Sequence, residues 1–334
     1  MNKTHAIDYA NIGLMILSAL VAFIIPFELF LFSYAILGPL HYMTEIGWLH
    51  QRKYFATGKY DYLFLILMGI LITYASFVKG NILAGKGEYI IMMAFVAGFA
   101  MFVFKDIYLK VITVVMAFVA CFFIEDGNSY MVSFFGIFLP TIIHVFLFTS
   151  VFMLFGALKS RSTPGIISVV VLFILATLML TIDRGGIHLN LKYDIKAWGA
   201  GFDQLNLAIM NFLGWANTGP TIAREDFIDT IFKSNAGFMV ARFVAFAYTY
   251  HYLNWFSKTS VIKWHKVPFV YLVITIAVWI IAVGVYMLDY KKGLNLLFFL
   301  SFLHVLLEFP LNFQSFVGIG KEIGNRFTGK AAKA

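Results

Sequence analysis

Cysteine and charge are what this chain has least of. Its 334 residues include a single cysteine, Cys121. That residue lies in an apolar run, so an intrachain disulfide framework and a cysteine-rich zinc site are both excluded. Only 13% of the residues are charged, against 61% hydrophobic, and mean hydropathy is +0.85. A water-soluble domain of this size cannot hide so much apolar surface, whereas a bilayer accepts it on the outside of a helix bundle. Alternating segments of about ten residues are missing as well, which excludes a transmembrane β-barrel. There is no phosphate-binding glycine-rich loop, and no nucleophile stands beside an evident base. The first dozen residues lack a basic segment followed by a small-residue cleavage site, so the first apolar run reads as an anchor. A net charge of +8 would suggest nucleic acid in a soluble protein. Here it reflects Lys and Arg in cytoplasmic loops, and no nucleic-acid partner is expected.

The expected fold is therefore all-α, a polytopic transmembrane bundle. Apolar windows of about 17–25 residues fall at 8–25, 28–49, 60–79, 88–104, 107–124, 129–156, 164–182, 237–256, 268–288 and 293–315. The first two form one long run, divided at Pro26 because a helix rarely continues unbroken through proline. The fourth and fifth are divided around Lys105-Asp106. These windows predict ten helices, with eight or nine if a division fails. With ten spans, one side receives Lys3, Arg52, Lys53, Lys59, Lys105, Lys110, Lys159, Arg161, Lys258, Lys263, Lys266, Lys321, Arg326, Lys330 and Lys333. The short loops opposite hold Lys79, Lys86, Lys291 and Lys292. The positive-inside rule then puts both termini in the cytoplasm, as in a multi-pass protein of a bacterial inner membrane.

Residues 1–334 read as one transmembrane domain with one long outer-side connection, 183–236. Within it, 205–215 has helix-like apolar spacing, and a second amphipathic piece, 222–232, follows Pro220. A connection this long suits a lid over a site. It suits equally a helical hairpin lying in the headgroup region.

Charged and titratable groups at membrane depth are costly and mark functional sites. Four histidines lie well inside spans: His41, His144, His251 and His304, on windows two, six, eight and ten. Those windows run in one direction. Counted from their outer ends, the histidines are about 13, 15, 14 and 11 residues in, a depth of about 17–23 Å at helical rise. All four thus fall within roughly one helical turn of each other, past mid-membrane toward the cytoplasm. Glu45 and Glu308 each follow a histidine by four residues, on the same helix face. Asn254, Thr141 and Ser301 stand three residues from theirs.

A buried carboxylate without a partner is neutralised or very costly. A divalent metal between helices resolves this, since neutral imidazole and carboxylate are its ligands in a site without thiols. Helix bundles build di-iron sites in this way. Against this, any one intramembrane histidine can simply hydrogen-bond to a neighbouring helix, and His41 with Glu45 can be an intrahelical pair. His50 reads as interfacial, and His5, His188 and His265 as solvated. Arg242, about one turn inside its span, is expected to snorkel or to meet an outer-loop acid. Tyr42, Tyr248, Tyr250, Tyr252 and Trp255 are placed to line an apolar tunnel.

Two stretches carry a family resemblance: residues 35–45, AILGPLHYMTE, and residues 245–251, AFAYTYH. They resemble the histidine-bearing helices of the bacterial Brp/Blh-type membrane β-carotene dioxygenases, as do the length and hydropathy of the chain. In that family, histidines from several transmembrane helices hold a non-haem iron that cleaves a carotenoid with dioxygen. The resemblance implies that His41 and His251 are iron ligands; His144 and His304 rest on depth alone. The family carries a further histidine where Trp255 stands, and small residues where Tyr42 and Met43 stand. Together these features predict an iron-dependent membrane oxygenase with one or two non-haem iron ions. Its substrate would be a carotenoid or another long apolar lipid, entering from the bilayer, with dioxygen as co-substrate. His41, His144, His251 and His304 would hold the metal, and Glu45 and Glu308 would act as ligands or as catalytic, orienting carboxylates. The rival expectations are a haem-binding electron carrier and a proton- or ion-coupled transporter using the same side chains.

Overall fold

The computed structural model describes residues 3–78, 80–121, 123–124, 129–183, 203–216, 224–258 and 267–328. Among them it is all-helical, with no strand. In chain order the elements are α1 (Lys3–Ile24), α2 (Pro26–Phe32), a π-helical turn (Ser33–Leu37), α3 (Gly38–Gln51), a 3₁₀ turn (Lys53–Phe55), α4 (Asp61–Phe77), α5 (Gly87–Val103) and α6 (Ile107–Cys121). A single turn, α7 (Ser129–Met131), leads into a long π-helical stretch (Val132–Phe148) continued by α8 (Thr149–Ser160). Then follow α9 (Thr163–Thr181), α10 (Asp203–Phe212), α11 (Arg224–Lys233), α12 (Asn235–Ser257), α13 (Phe269–Leu288) and α14 (Tyr290–Phe327).

Five of these helical runs are long and apolar enough to cross a membrane: 4–24, 132–160, 163–181, 269–288 and 290–327. The helices α4, α5 and α6 are apolar but shorter. Their exposed faces are what a lipid environment requires. On α13 only 17% of the spanning window is buried, and Val273, Ile274, Ile280 and Ile281 point outward. On α6 the outward face carries Val111, Val115, Met116 and Phe118. In water such surface would drive aggregation; in a bilayer it is matched by the lipid tails. The architecture is that of a helical membrane protein.

The boundaries follow from backbone chemistry. The break predicted at Pro26 falls at Ile25, which leaves helical geometry (φ −131°, ψ 62°) and lets Pro26 open α2, where its missing N–H costs nothing. Between α5 and α6, Asp106 Oδ1 accepts the Tyr108 N–H at 2.7 Å and starts the new helix. Of the 183–236 connection, residues 184–202 and 217–223 lie outside the described residues, as do His188 and His265. The two amphipathic pieces expected in it are the helices α10 and α11. Leu205, Ile209 and Met210 of α10 are buried, and both helices pack on α12.

The chain separates into two compact units. The first is Met1–Leu37 with Val145–Val261, the second Gly38–His144 with Ile262–Ala334. In the first, α12 is the central element, packed by α1, α2, α9, α10 and α11 and buried around its whole circumference. A helix apolar on all sides is stable only in such a setting. Arg242 interrupts that apolar surface. It does not snorkel: it is fully buried, because backbone groups at two helix ends satisfy it. Its Nε donates to the Phe23 carbonyl at 3.1 Å and its Nη1 to that of Ile182 at 3.2 Å. The guanidinium lies 3.7 Å from the Phe23 ring centroid, a cation–π contact.

In the second unit α14 is central, packed by α3, α4, α5 and α13. Close approach of α5 is permitted by Ala94, Ala97 and Gly98, small residues on its buried face. A methyl group at Gly98 would come within 2.7 Å of Phe309 Cβ. Lys110, counted above as a loop charge, lies instead within α6, buried and 2.6 Å from Asp61 Oδ2. The same carboxylate accepts the Gly58 N–H at 2.8 Å, which compensates its removal from water.

Candidate metal centre

Three of the four predicted histidines and both carboxylates fall in the second unit, on three helices: His41 and Glu45 on α3, His144 in the π-helical stretch, and His304 and Glu308 on α14. Every one of the five is buried. Proline shapes the backbone beside each histidine. Pro39 follows the π turn and precedes His41 by two residues, Pro140 lies inside the π stretch four residues before His144, and Pro310 lies six after His304. A proline cannot donate to the carbonyl four residues back. Wider π turns are one relaxation of that defect, and they recur at functional sites.

The side chains form a connected cluster. His41 Nε2 lies 3.0 Å from Glu45 Oε2, one turn along the same helix. Glu308 does something different: it reaches across to His144, with Oε2 3.0 Å from Nδ1. That contact is close, yet its ring N–H is not aligned for a hydrogen bond. The other nitrogen of His144, Nε2, faces His304 Nε2 at 3.0 Å. The His41 and His304 rings are 5.3 Å apart and steeply inclined, with their ligand nitrogens within 4.8 Å of each other. Tyr42 stacks on His304 at 4.3 Å, nearly parallel at 21°.

These distances fit the donor set of a metal. A separation of 3.0 Å between two ring nitrogens is a hydrogen bond when one ring carries a proton there. It is also the spacing of adjacent ligands on an octahedral ion with bonds of about 2.1 Å, which lie about 3.0 Å apart. Glu308 beside the far nitrogen of His144 sets a carboxylate charge against that ring, which raises its basicity as a ligand through charge rather than through an aligned hydrogen bond. One divalent cation would also neutralise the two carboxylates, which are otherwise expensive to keep in a low dielectric. Within this unit, the ring nitrogens of His41 and His304 are buried and close enough to share a metal ion.

His251, the fourth predicted ligand, belongs to the first unit, on α12. There its Nδ1 is 2.7 Å from Thr149 Oγ1. Asn254, three residues on, is buried beside it on the same helix. Tyr250 and Ser257 of α12 reach Asn11 of α1, so Tyr250 serves packing between those helices. His50 is exposed at the end of α3, with its ring against Tyr54 and Tyr62.

Two features of these helices escaped the sequence. Tyr42, expected as a tunnel wall, stacks on His304 through a helix pairing that composition does not encode. Asn312, buried on α14, stands four residues after Glu308 and eight after His304. That spacing was the available signal. The fold and the cluster define a helical membrane protein with a buried histidine–carboxylate centre. No family model, no curated protein and no solved structure matches the chain.

Proposed function

We propose that this protein is a membrane-embedded, non-haem iron oxygenase acting on a long apolar substrate such as a carotenoid or another lipid. The observation that carries the proposal is the linked set Glu308–His144–His304 beside His41–Glu45, buried in an apolar unit. His41, His144 and His304 would hold the iron, with His251 added by its depth in the sequence. Iron, when bound, supplies the exchange of electrons with dioxygen. The protein's own groups orient and exclude. Glu308 sets its charge against the ring of His144, Glu45 bears on His41, Tyr42 covers the face of His304, and the apolar helices keep water from the reacting atoms. Ten spans, cytoplasmic termini and a bacterial inner membrane complete the reading, and they rest on hydropathy and loop charge.

Direct contact between the His144 and His304 nitrogens leaves no slot for a porphyrin between those two rings, which disfavours the haem carrier. The transporter reading uses the same side chains as a proton relay. Elemental analysis of the purified protein separates the two. Stoichiometric iron in the wild type is expected, together with its loss in His41→Ala, His144→Ala, His304→Ala and His251→Ala. Consumption of a carotenoid or lipid probe with dioxygen should vanish in the same variants. A metal-free wild type showing pH-dependent flux would replace the oxygenase by the transporter.

A further inference from the structure

The cluster does not end the polar surface of α14. Down the helix from it, Glu308 is followed by Asn312 and Ser315 at spacings of four and three, so the three lie on one face. All are buried, Asn312 at 3% and Ser315 at 1% exposure. Their neighbours along the helix are large and apolar: Phe309 and Leu311 are buried, and Phe95 of α5 packs on Phe309 at 5.1 Å and on Phe313 at 5.0 Å. Ser315 is satisfied by the Leu311 carbonyl at 3.0 Å. The Asn312 amide Nδ2 has no hydrogen-bond partner among the described residues. Nearby, Pro310 removes the N–H that the Leu306 carbonyl would ordinarily receive.

A buried amide donor without a partner is destabilising, and proteins satisfy such groups with ordered water when the surroundings offer other polar atoms. Here they do, on both sides. Glu308 lies about 6 Å away along the helix axis and Ser315 about 4.5 Å, from the helical rise. Water–protein hydrogen bonds of about 2.8 Å bridge the first gap with one or two molecules. Beyond Ser315 the last turns of the helix carry Lys321, Glu322 and Arg326, charged groups that require water around them. The stripe thus joins the histidine–carboxylate cluster to a wetted helix end.

We infer that Asn312 holds ordered water in a polar path along α14, running from the exposed end beyond Ser315 to Glu308. The path carries protons along held water as far as Glu308, which contacts the His144 nitrogen turned away from His304, so the ring nitrogens that would hold the metal stay dry. Its role there rests on the oxygenase reading; its existence does not, because the same atoms stand whether or not a metal binds. Asn312 is a positioning residue, acting through the water it holds.

The experiment is X-ray hydroxyl-radical labelling of the full-length protein in lipid nanodiscs, where radicals form from internal water and modify adjacent side chains. Phe309, three residues from Asn312, and Phe246 of α12 are both fully buried phenylalanines, so one controls for the other. The expected result is Phe309 hydroxylated several-fold above Phe246 in the wild type, falling to the Phe246 level in Asn312→Leu and retained in Asn312→Ser. Equal labelling of the two rings in the wild type would overturn the inference, even if Asn312→Leu does not fold. Unchanged labelling in a folded Asn312→Leu would overturn it as well. Iron content measured on the same samples keeps this outcome separate from that of the metal centre.

Discussion

At the scale of single residues, the contact of Glu308 with His144 makes the most specific claim. The carboxylate faces the ring nitrogen away from His304, so its work is to polarise that ring through its charge rather than to bind first. Replacing it should weaken metal without abolishing it. Glu308→Gln keeps shape and polarity but removes charge, and a drop of about 10–100-fold in iron affinity is expected, measured by competition with a chelator. His144→Ala should lose the metal altogether. Equal losses in both would make Glu308 a ligand in its own right. A second residue reports on pH. Tyr54, in the turn after α3, stacks on Tyr62 at 4.8 Å. Burial first, then the neighbouring phenols of Tyr62 and Tyr271, push its hydroxyl from 10.0 up to about 12. A raised value means that the folded state resists ionisation. Its contribution to stability is therefore complete below pH 10 and is lost as pH rises through 12. The absorbance titration at alkaline pH, wild type minus Tyr54→Phe, should show one phenol titrating near 12; a midpoint near 10 would remove the claim.

At the scale of elements, the first unit depends on one cation. Arg242 gathers the carbonyls at the ends of α1 and α9 onto α12, where apolar side chains alone would leave those groups dry and unpaired. Arg242→Met matches length and keeps apolar packing but abandons both carbonyls, at about 1–3 kcal/mol each. The expected outcome is a lower midpoint in thermal unfolding in detergent; an unchanged midpoint would show that water serves those helix ends. The sequence announces such a residue only as a charge in an apolar window, and its partners are backbone atoms with no sequence signature. The same limit explains what could be read of the site. His41 and Glu45 are legible as a pair because four-residue spacing is a local rule, and the structure pairs them. His304 and Glu308 share that spacing, yet Glu308 turns to another helix. Lys110 reads as a loop charge because its partner Asp61 lies about fifty residues away in sequence. Helix locations and the break at Pro26 were accessible because they follow from hydropathy and from the missing proline N–H. The π geometry around Pro39 and Pro140 was not, since proline announces a defect without saying how the backbone relaxes.

At the scale of the whole molecule, the scarcity of cysteine becomes an experimental handle on orientation. Cys121 ends α6, half-buried, with Sγ directed to the Ala117 carbonyl at 3.3 Å. It packs loosely enough that Cys121→Ser should be tolerated, which yields a thiol-free background. Single cysteines can then be placed where loop charge assigns a side. Lys159, at the end of α8, and Lys333 belong to the basic side, and Lys86 and Lys291 to the other. Positive residues are retained on the cytoplasmic face because moving them across the membrane during insertion is unfavourable. In intact cells a membrane-impermeant maleimide should therefore label cysteines at 86 and 291 and spare those at 159 and 333 until the membrane is opened. The test also weighs the short helices. α4, α5 and α6 hold 17, 17 and 15 residues, about 22–26 Å at helical rise, against a hydrocarbon core of about 30 Å. Local thinning and snorkelling end residues accommodate a mismatch of that size at modest cost, so all three are expected to span. If they do, an even number of crossings separates position 53 from position 159, and cysteines at both share one side. Opposite labelling of 53 and 159 would leave one of these helices lying in the interface, and the count of ten spans would fall with it.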